Sequence, residues 1–196
     1  MSKTIDYYDK YAQEFYDRTI NADISRSYDA FLSHLPERSY IIDAGCGVGR
    51  DSKYFLSQGH QVAAFDASER MVAMASVETG IKAMRLTFQD MSFNEIFDGI
   101  WAQASLLHIP YRETRDVYQK MHRALKPGGL FYASYKYGNN YMKTQERDFW
   151  NMDEQSVRPY FNGIFDVVKI WKEKDMRSKV SPGQSGMWLN FIVRKT

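Results

Sequence analysis

Two periodicities divide the chain. Residues 6–18 (DYYDKYAQEFYDR) place aromatics at 7, 8, 11, 15 and 16, a spacing that gathers them on one helical face. Residues 24–34 form a second short amphipathic helix, stopped by Pro36. From residue 40 short apolar runs alternate with helical patterns. YIIDAG (40–45) is a buried strand. Residues 50–58 are a helix ended by Gly59, and QVAAFD (61–66) is a second strand. Ser68 caps a helix over 69–79 that Gly80 closes. Residues 81–86 are a weaker third strand, and FDGIWAQA (97–104) is a fourth. A helix over 112–125 stops at KPGG (126–129), and LFYASYK (130–136) is a fifth strand. Strands alternating with helices in this way predict a doubly wound, mostly parallel sheet of α/β class. The tail breaks the rhythm. FDVVKIW (165–171) and MWLNFIVR (187–194) are joined by a loop alone, which predicts an antiparallel hairpin at one sheet edge.

Composition narrows the picture. With 196 residues, 44% hydrophobic and 26% charged, the chain has one ordinary globular domain's worth of core-forming side chains. No apolar run reaches the roughly 20 residues of a membrane-spanning helix, and the start, MSKTIDYYDK, has no apolar core of a secretory leader. One cysteine makes no internal disulfide, and four scattered histidines give no zinc spacing, so no metal is expected and a reducing cytoplasm is the expected compartment. Residues 1–98 carry five more acids than bases and residues 99–196 seven more bases than acids. That asymmetry fits an anionic partner near the second half, or basic residues that only solvate outer helices and a hairpin.

The chemistry concentrates in Asp43-Ala44-Gly45-Cys46-Gly47-Val48-Gly49-Arg50-Asp51, where a strand runs into three alternating glycines and then a helix. Glycines let the backbone turn sharply and approach a ligand with no Cβ in the way. In open α/β sheets ligands sit at the carboxyl ends of the strands near the switch in strand order, so a nucleotide-like cofactor is expected over this loop. The dinucleotide fingerprint is not met, because Arg50 stands where its third glycine belongs. Asp43 would repel a pyrophosphate but attract a cationic ligand. No phosphate-binding P-loop motif occurs. Asp66 ends the second strand, where doubly wound folds place a carboxylate for ribose hydroxyls; the alternative is an N-cap for the next helix. Asp90, in Gln89-Asp90-Met91, is positioned to accept from an adenine amino group beside Met91 and Phe88, or to serve as a turn residue. Cys46 reads as a small packing residue.

The ordered set DAGCGVGRD, Asp66, QDM (89–91), FDGIWAQASLLHI (97–109) and LKPGGLFYAS (125–134) resembles the class I S-adenosylmethionine-dependent methyltransferases over about residues 38–136, and WLNFIVRK resembles their closing strand. The resemblance implies a Rossmann-like, mostly parallel seven-stranded sheet with a C-terminal antiparallel hairpin and an N-terminal helical lid. It implies S-adenosylmethionine as cofactor. Asp43, Gly45 and Gly47 would line the methionine moiety, and Asp66 would hold the ribose. Asp90 and Met91 would hold the adenine, and Gln103 with Ala104 would lie beneath the sulfonium. Arg50 would meet the carboxylate or tie down the N-terminal helices. Within one domain of 196 residues it divides the chain into a lid (1–35), a cofactor-binding core (38–136), an acceptor-side insertion (137–163) and a closing hairpin (164–196).

Methyl transfer needs positioning and water exclusion more than a catalytic triad. Tyr7, Tyr8, Tyr11, Phe15 and Tyr16 are lid candidates, with Tyr11 the preferred cofactor contact; the alternative is an aromatic face that only packs on the sheet. His108, after the fourth strand, would overlook the transferred methyl group as a base, or would be a structural histidine bonded to backbone. The insertion, with Arg147, Phe149 and Trp150 among its residues, suits a planar or anionic small molecule, or is a helical cover for the sheet. The polar loop 174–186 is a candidate rim of the acceptor site. A small-molecule methyltransferase is thus expected, with no nucleic-acid or membrane partner, as a monomer or homodimer. The alternatives are a nucleic-acid or protein methyltransferase and a cofactor-binding sensor without catalysis. Base-directed amino-methyltransferases carry a [DNS]-P-P-[YFW] run where this chain reads Gln103-Ala104-Ser105-Leu106-Leu107.

Overall fold

In the computed structural model, residues 3–175 and 186–196 are described. The expected rim loop 174–186 therefore lies largely outside the described residues. The chain opens with three helices, α1 (Lys3–Lys10), α2 (Ala12–Thr19) and α3 (Ser25–Leu32). It then alternates β1 (Tyr40–Ala44), α4 (Arg50–Ser57), β2 (Gln61–Asp66), α5 (Glu69–Thr79), β3 (Met84–Arg85), β4 (Phe97–Ala102), α6 (Tyr111–Ala124) and β5 (Leu125–Lys136). A small antiparallel ribbon, β6 (Tyr141–Lys143) with β7 (Asp148–Trp150), and the short α7 (Glu154–Val157) precede β8 (Phe165–Lys174) and β9 (Met187–Lys195).

Seven strands form one sheet in the order β3-β2-β1-β4-β5-β9-β8. The first five run parallel, and β9 returns antiparallel between β5 and the edge strand β8. Strand order reverses between β1 and β4, so the loops after these two strands flank the natural crevice.

Both faces of the sheet are covered, and the central strands β1, β4 and β5 are buried on both sides, as a parallel sheet requires. On β5, Phe131, Ala133 and Tyr135 face α6 and its Val117, Tyr118 and Met121. Leu130 and Tyr132 face the other way and join Tyr28, Phe31, Phe55 and Trp101 beneath α3 and α4. On that side the Trp101 and Tyr132 rings stack with centres 3.8 Å apart.

Local signals explain most boundaries. Ser68 Oγ accepts from Met71 N at 3.1 Å, and Gly80 ends α5 in the left-handed region at φ +73°. Four expectations need correction. The helix expected over 6–18 is two helices that break at Tyr11, whose ψ of 25° leaves the helical range. The third strand shrinks to two residues at the sheet edge. The KPGG segment does not precede the fifth strand but is absorbed into it, with a register shift between Phe97 and Gly99 on the partner strand. The insertion is the β6–β7 ribbon with one helical turn, not a helical cover.

Candidate functional site

The loop after β1 is a left-handed cradle. Gly45, Gly47 and Gly49 have φ of +77°, +53° and +89°, a region that costs an L side chain roughly 1–2 kcal/mol. Gly45 N and Cys46 N both donate to Phe65 O at 2.9 Å, which pins the loop to β2. A Cβ on Gly45 would come 2.5 Å from Ser105 Cβ, so the loops after β1 and β4 touch backbone to side chain. Ser105 closes that contact by donating from Oγ to Ala44 O at 2.8 Å. A Cβ on Gly47 would meet only the Phe15 ring, at 3.4 Å.

Asp66 holds the other side of the cradle. One carboxylate oxygen accepts from Gly47 N and the other from Ser68 N, both at 2.9 Å. Each oxygen keeps lone pairs for a further donor. Burial raises the Asp66 pKa against the pull of these amides. It therefore organises the loop as well as facing the cavity above it.

That cavity has a volume of about 880 Å³, large for a small-ligand site. Among the residues expected at a site, Gly45, Gly47, Arg50, Asp66, Gln103 and His108 line it. Tyr11, Asp43, Asp90 and Met91 do not. Tyr11 donates from its hydroxyl to Glu146 at 3.1 Å and packs on Tyr7, because the helix break turns it away; Tyr8 and Phe15 line the cavity instead. Tyr16 likewise leaves the cavity and donates to Glu78 at 2.8 Å. Asp43 is buried below the loop, where it accepts from Ser52 Oγ at 2.6 Å; burial and the neighbouring Asp51 charge raise its pKa. Asp90 is exposed and accepts from Thr87 Oγ1 at 2.6 Å, while Met91 is buried in the core. Thr87, Phe88 and Gln89 line the wall where Asp90 and Met91 were expected. Cys46 packs among Ala64, Ala75 and Ala83, and burial pushes its thiol pKa up, so it is not a nucleophile.

Behind Arg50 lies a buried network built on Asp51, a residue the sequence analysis left without a role. Asp51 accepts from Tyr28 OH at 2.6 Å, from Trp101 Nε1 at 2.8 Å and from Arg50 Nε at 2.5 Å. Burial disfavours its charge, yet Arg50 and these donors hold its pKa below the usual carboxylate value. Arg50 also donates from Nη1 to Thr19 O at 3.3 Å, and so ties α2 to the glycine loop. An acid in the first turn of a helix, one residue after the loop, was the available signal for Asp51.

At the far wall, His108 Nε2 lies 2.9 Å from Tyr8 OH and its Nδ1 lies 2.8 Å from Asp148 O. A carbonyl only accepts, so Nδ1 carries the proton and Nε2 accepts from the tyrosine. Burial lowers the His108 pKa to about 4, and Arg147 and Lys136 add to the effect. The ring is neutral at neutral pH and joins three elements: α1, the turn after β4, and β7. Further along the cavity, Gln103 Oε1 and Asn190 Oδ1 both lie within reach of Tyr132 OH, and Asn190 Nδ2 is buried with no hydrogen-bond partner.

Comparison with known proteins agrees with this geometry. A family model described as "Methyltransferase domain" matches residues 41–129, from β1 through the turn inside β5. A malonyl-[acyl-carrier protein] O-methyltransferase of Enterobacter lignolyticus is 32% identical over 54% of this chain and 43% of its own length. This chain thus spans less than half of that relative. An uncharacterized methyltransferase of Staphylococcus carnosus is 23% identical over 97% of this chain and 99% of its own. Among solved structures, the 1,6-didemethyltoxoflavin-N1-methyltransferase of Burkholderia thailandensis, with bound 1,6-didemethyltoxoflavin and S-adenosylhomocysteine, superposes with a TM-score of 0.77. It covers 99% of this chain and 88% of its own at 20% identity, which establishes a shared fold.

Proposed function

We propose that the chain, whose residues 41–129 match the methyltransferase-domain model, transfers a methyl group from S-adenosylmethionine to a small-molecule acceptor. The observation that carries this reading is the left-handed glycine cradle locked by the Gly47 N–Asp66 bond and opening on a cavity of about 880 Å³. The residues present suit that cofactor. Gly45 and Gly47 leave the backbone bare where a methionine moiety would lie, and the spare lone pairs of Asp66 suit a pair of ribose hydroxyls. Thr87 to Gln89 offer the adenine wall, and Gln103 lies beside the reacting end. Arg50 fastens α2 to the loop rather than reaching for a carboxylate. The cofactor supplies an electrophilic methyl group when bound. The chain's part is then to hold the acceptor in line and keep water out, with Tyr8 and Phe15 roofing the site.

Neither nitrogen of His108 is free, so it serves to position Tyr8 rather than as the base. We assign the protein a small-molecule rather than a nucleic-acid partner, and the cytoplasm as its compartment on its single buried cysteine. No helix among the described residues is long and apolar enough to cross a membrane. Titration calorimetry with S-adenosylhomocysteine and with NAD, followed by transfer of an isotopically labelled methyl group into a metabolite extract, tests the reading. Binding of S-adenosylhomocysteine with labelled product supports it. Tighter binding of NAD would overturn it, and binding without any labelled product would leave a sensor.

A further inference from the structure

Arg147 is a cation held in an aromatic frame, with no salt bridge to it among the described residues. It stands in the β6–β7 ribbon just before β7 and lines the cavity. Its guanidinium carbon lies 4.1 Å from the centre of the Tyr7 ring, 5.0 Å from Phe149 and 5.9 Å from Tyr8. Its Nε is buried and has no hydrogen-bond partner. The acids on either side are turned elsewhere. Glu146 accepts from Tyr11 and lies 3.8 Å from Lys10 Nζ; Asp148 accepts from Tyr141 OH at 2.7 Å. Lys136 lines the same cavity, with its Nζ 4.5 Å from the Phe149 ring centre. His108, between them, is uncharged. At Arg147 the wall therefore presents positive charge on flat aromatic surface.

A buried guanidinium Nε is costly to leave without an acceptor, and the planar fork matches a carboxylate or an enolate lying in its own plane. Ring faces stacked against it favour a flat ligand over a bulky one. The frame shares the cavity wall with Tyr8 and His108, and on the methyl-transfer reading it belongs to the acceptor's side of the cavity. We infer that Arg147 is the specificity residue of the acceptor site and that the acceptor is a planar molecule bearing an anionic group, typified by an aromatic carboxylate. Calling the ligand an acceptor rests on the methyl-transfer reading; the preference for a planar anion rests on Arg147 and its frame.

The test uses the full chain saturated with S-adenosylhomocysteine and two matched probe pairs: 2-naphthoate against 2-naphthamide, and salicylate against salicylamide. Calorimetry or ligand-observed resonance should show each acid binding at least tenfold more tightly than its amide. R147Q should abolish that preference while leaving the amide and S-adenosylhomocysteine affinities within twofold, and R147K should retain part of it. A thermal melt confirms that the variants fold. The inference fails if neither pair discriminates acid from amide, binding or not. It also fails if R147Q keeps the preference, or if R147Q weakens S-adenosylhomocysteine as much as the acid, which would give Arg147 to the cofactor. The comparison is repeated without S-adenosylhomocysteine, so failure of the nucleoside to bind would count against methyl transfer alone.

Discussion

Tyr8 OH lies 2.9 Å from His108 Nε2, joining residues a hundred positions apart across the mouth of the cavity. With the imidazole neutral, Nε2 accepts from the tyrosine, and burial favours that form by lowering the His108 pKa to about 4. In the unfolded chain the ring titrates near 6.5. Above that value neither state binds the proton. As pH falls from about 6.5 to about 4 only the unfolded state takes it up, so stability is lost across this window and levels off below it. Asp43, whose pKa is raised, acts with the opposite sign, so the wild type alone does not isolate the histidine. The difference between wild type and H108Q does. The wild type should lose about 1–3 kcal/mol relative to H108Q between pH 7 and pH 4, the range expected for a partly exposed ring with this shift. Urea unfolding at a series of pH values measures it; a constant difference would mean that His108 is not held neutral.

The Asp51 network predicts a large cost for one oxygen-to-nitrogen exchange. D51N keeps the shape but removes the charge that Arg50, Tyr28 and Trp101 all donate to. Removing one partner of a buried ion pair costs about 3–5 kcal/mol, because the other charge stays buried. Unfolding by denaturant should show a loss on that scale. Since Arg50 holds Thr19 O, hydrogen exchange should also quicken at the end of α2. A loss below about 1 kcal/mol would mean that Arg50 finds other partners.

How much of this was legible in the sequence depended on whether a signal was local. Ser68, Gly80 and the three loop glycines act through their own backbone, and the structure places them as caps and as the left-handed cradle. The strand alternation carried the doubly wound, mostly parallel class, while the strand order itself came from the structure. The helical face of the first segment was visible, but which aromatics look inward was not. On an unbroken helix Tyr8, Tyr11 and Phe15 share a stripe; the break at Tyr11 rotates that one residue out. Asp51 and Asp43 are two acids of similar spacing to the glycines. Only the docking of α3 and β4, with Tyr28 and Trp101, decides that Asp51 takes the donors. The ribbon carrying Arg147 lacks a clean alternation of apolar and polar residues, and nothing local announces where its guanidinium points.

Gly45 offers a sharper test of the two touching loops. In G45A the new Cβ would lie 2.5 Å from Ser105 Cβ and force a side chain into φ +77°. The variant should lose about 2 kcal/mol or more in stability, from left-handed strain plus the clash. It should bind S-adenosylhomocysteine at least tenfold more weakly. Adding S105G removes the clash but not the strain, so G45A/S105G should recover part of the stability. Calorimetry and thermal unfolding of the pair decide it. Unchanged behaviour of G45A would show that the loops have room to separate.

Asp66 has two duties, and they separate by substitution. Its two backbone bonds shape the loop, and its remaining lone pairs face the cavity. D66A removes both and should cost folding stability as well as about 1.5–3 kcal/mol of cofactor binding, the scale of a charged hydrogen bond. The bonds to Gly47 N and Ser68 N are what make folding depend on this side chain. D66N keeps one acceptor oxygen, so it should fold better than D66A yet bind S-adenosylhomocysteine nearly as weakly. Equal affinity of D66N and wild type would remove the carboxylate from the site.

The N-terminal helices carry the last prediction. Phe15 lies over Gly47, Tyr8 meets His108, and Asp9 accepts from Ser68 Oγ and Arg70 N at 2.6 and 3.1 Å. These contacts reach the cradle from above, and none of them belongs to the seven-stranded sheet. A ligand on the cradle would lie against Phe15 and Tyr8 and add apolar contact to the roof, whereas without it the roof rests on a small apolar cluster around Ala12, Val48 and Met71 and a few polar bonds. Segments with few buried contacts open at low free energy, and lids are drawn from such segments. Hydrogen exchange over residues 3–19 should therefore slow at least severalfold when S-adenosylhomocysteine is added, with little change at β1, β4 and β5. Y8F should weaken the effect in α1 by removing the His108 bond while leaving the glycine cradle intact. Deleting residues 1–20 should leave the sheet folded, because Phe31, Phe55 and Trp101 close that face through α3 and α4. It should abolish methyl transfer, since Tyr8 and Phe15 are lost together. Exchange rates that ignore the ligand, together with transfer by the truncated chain, would show α1 and α2 to be packing alone.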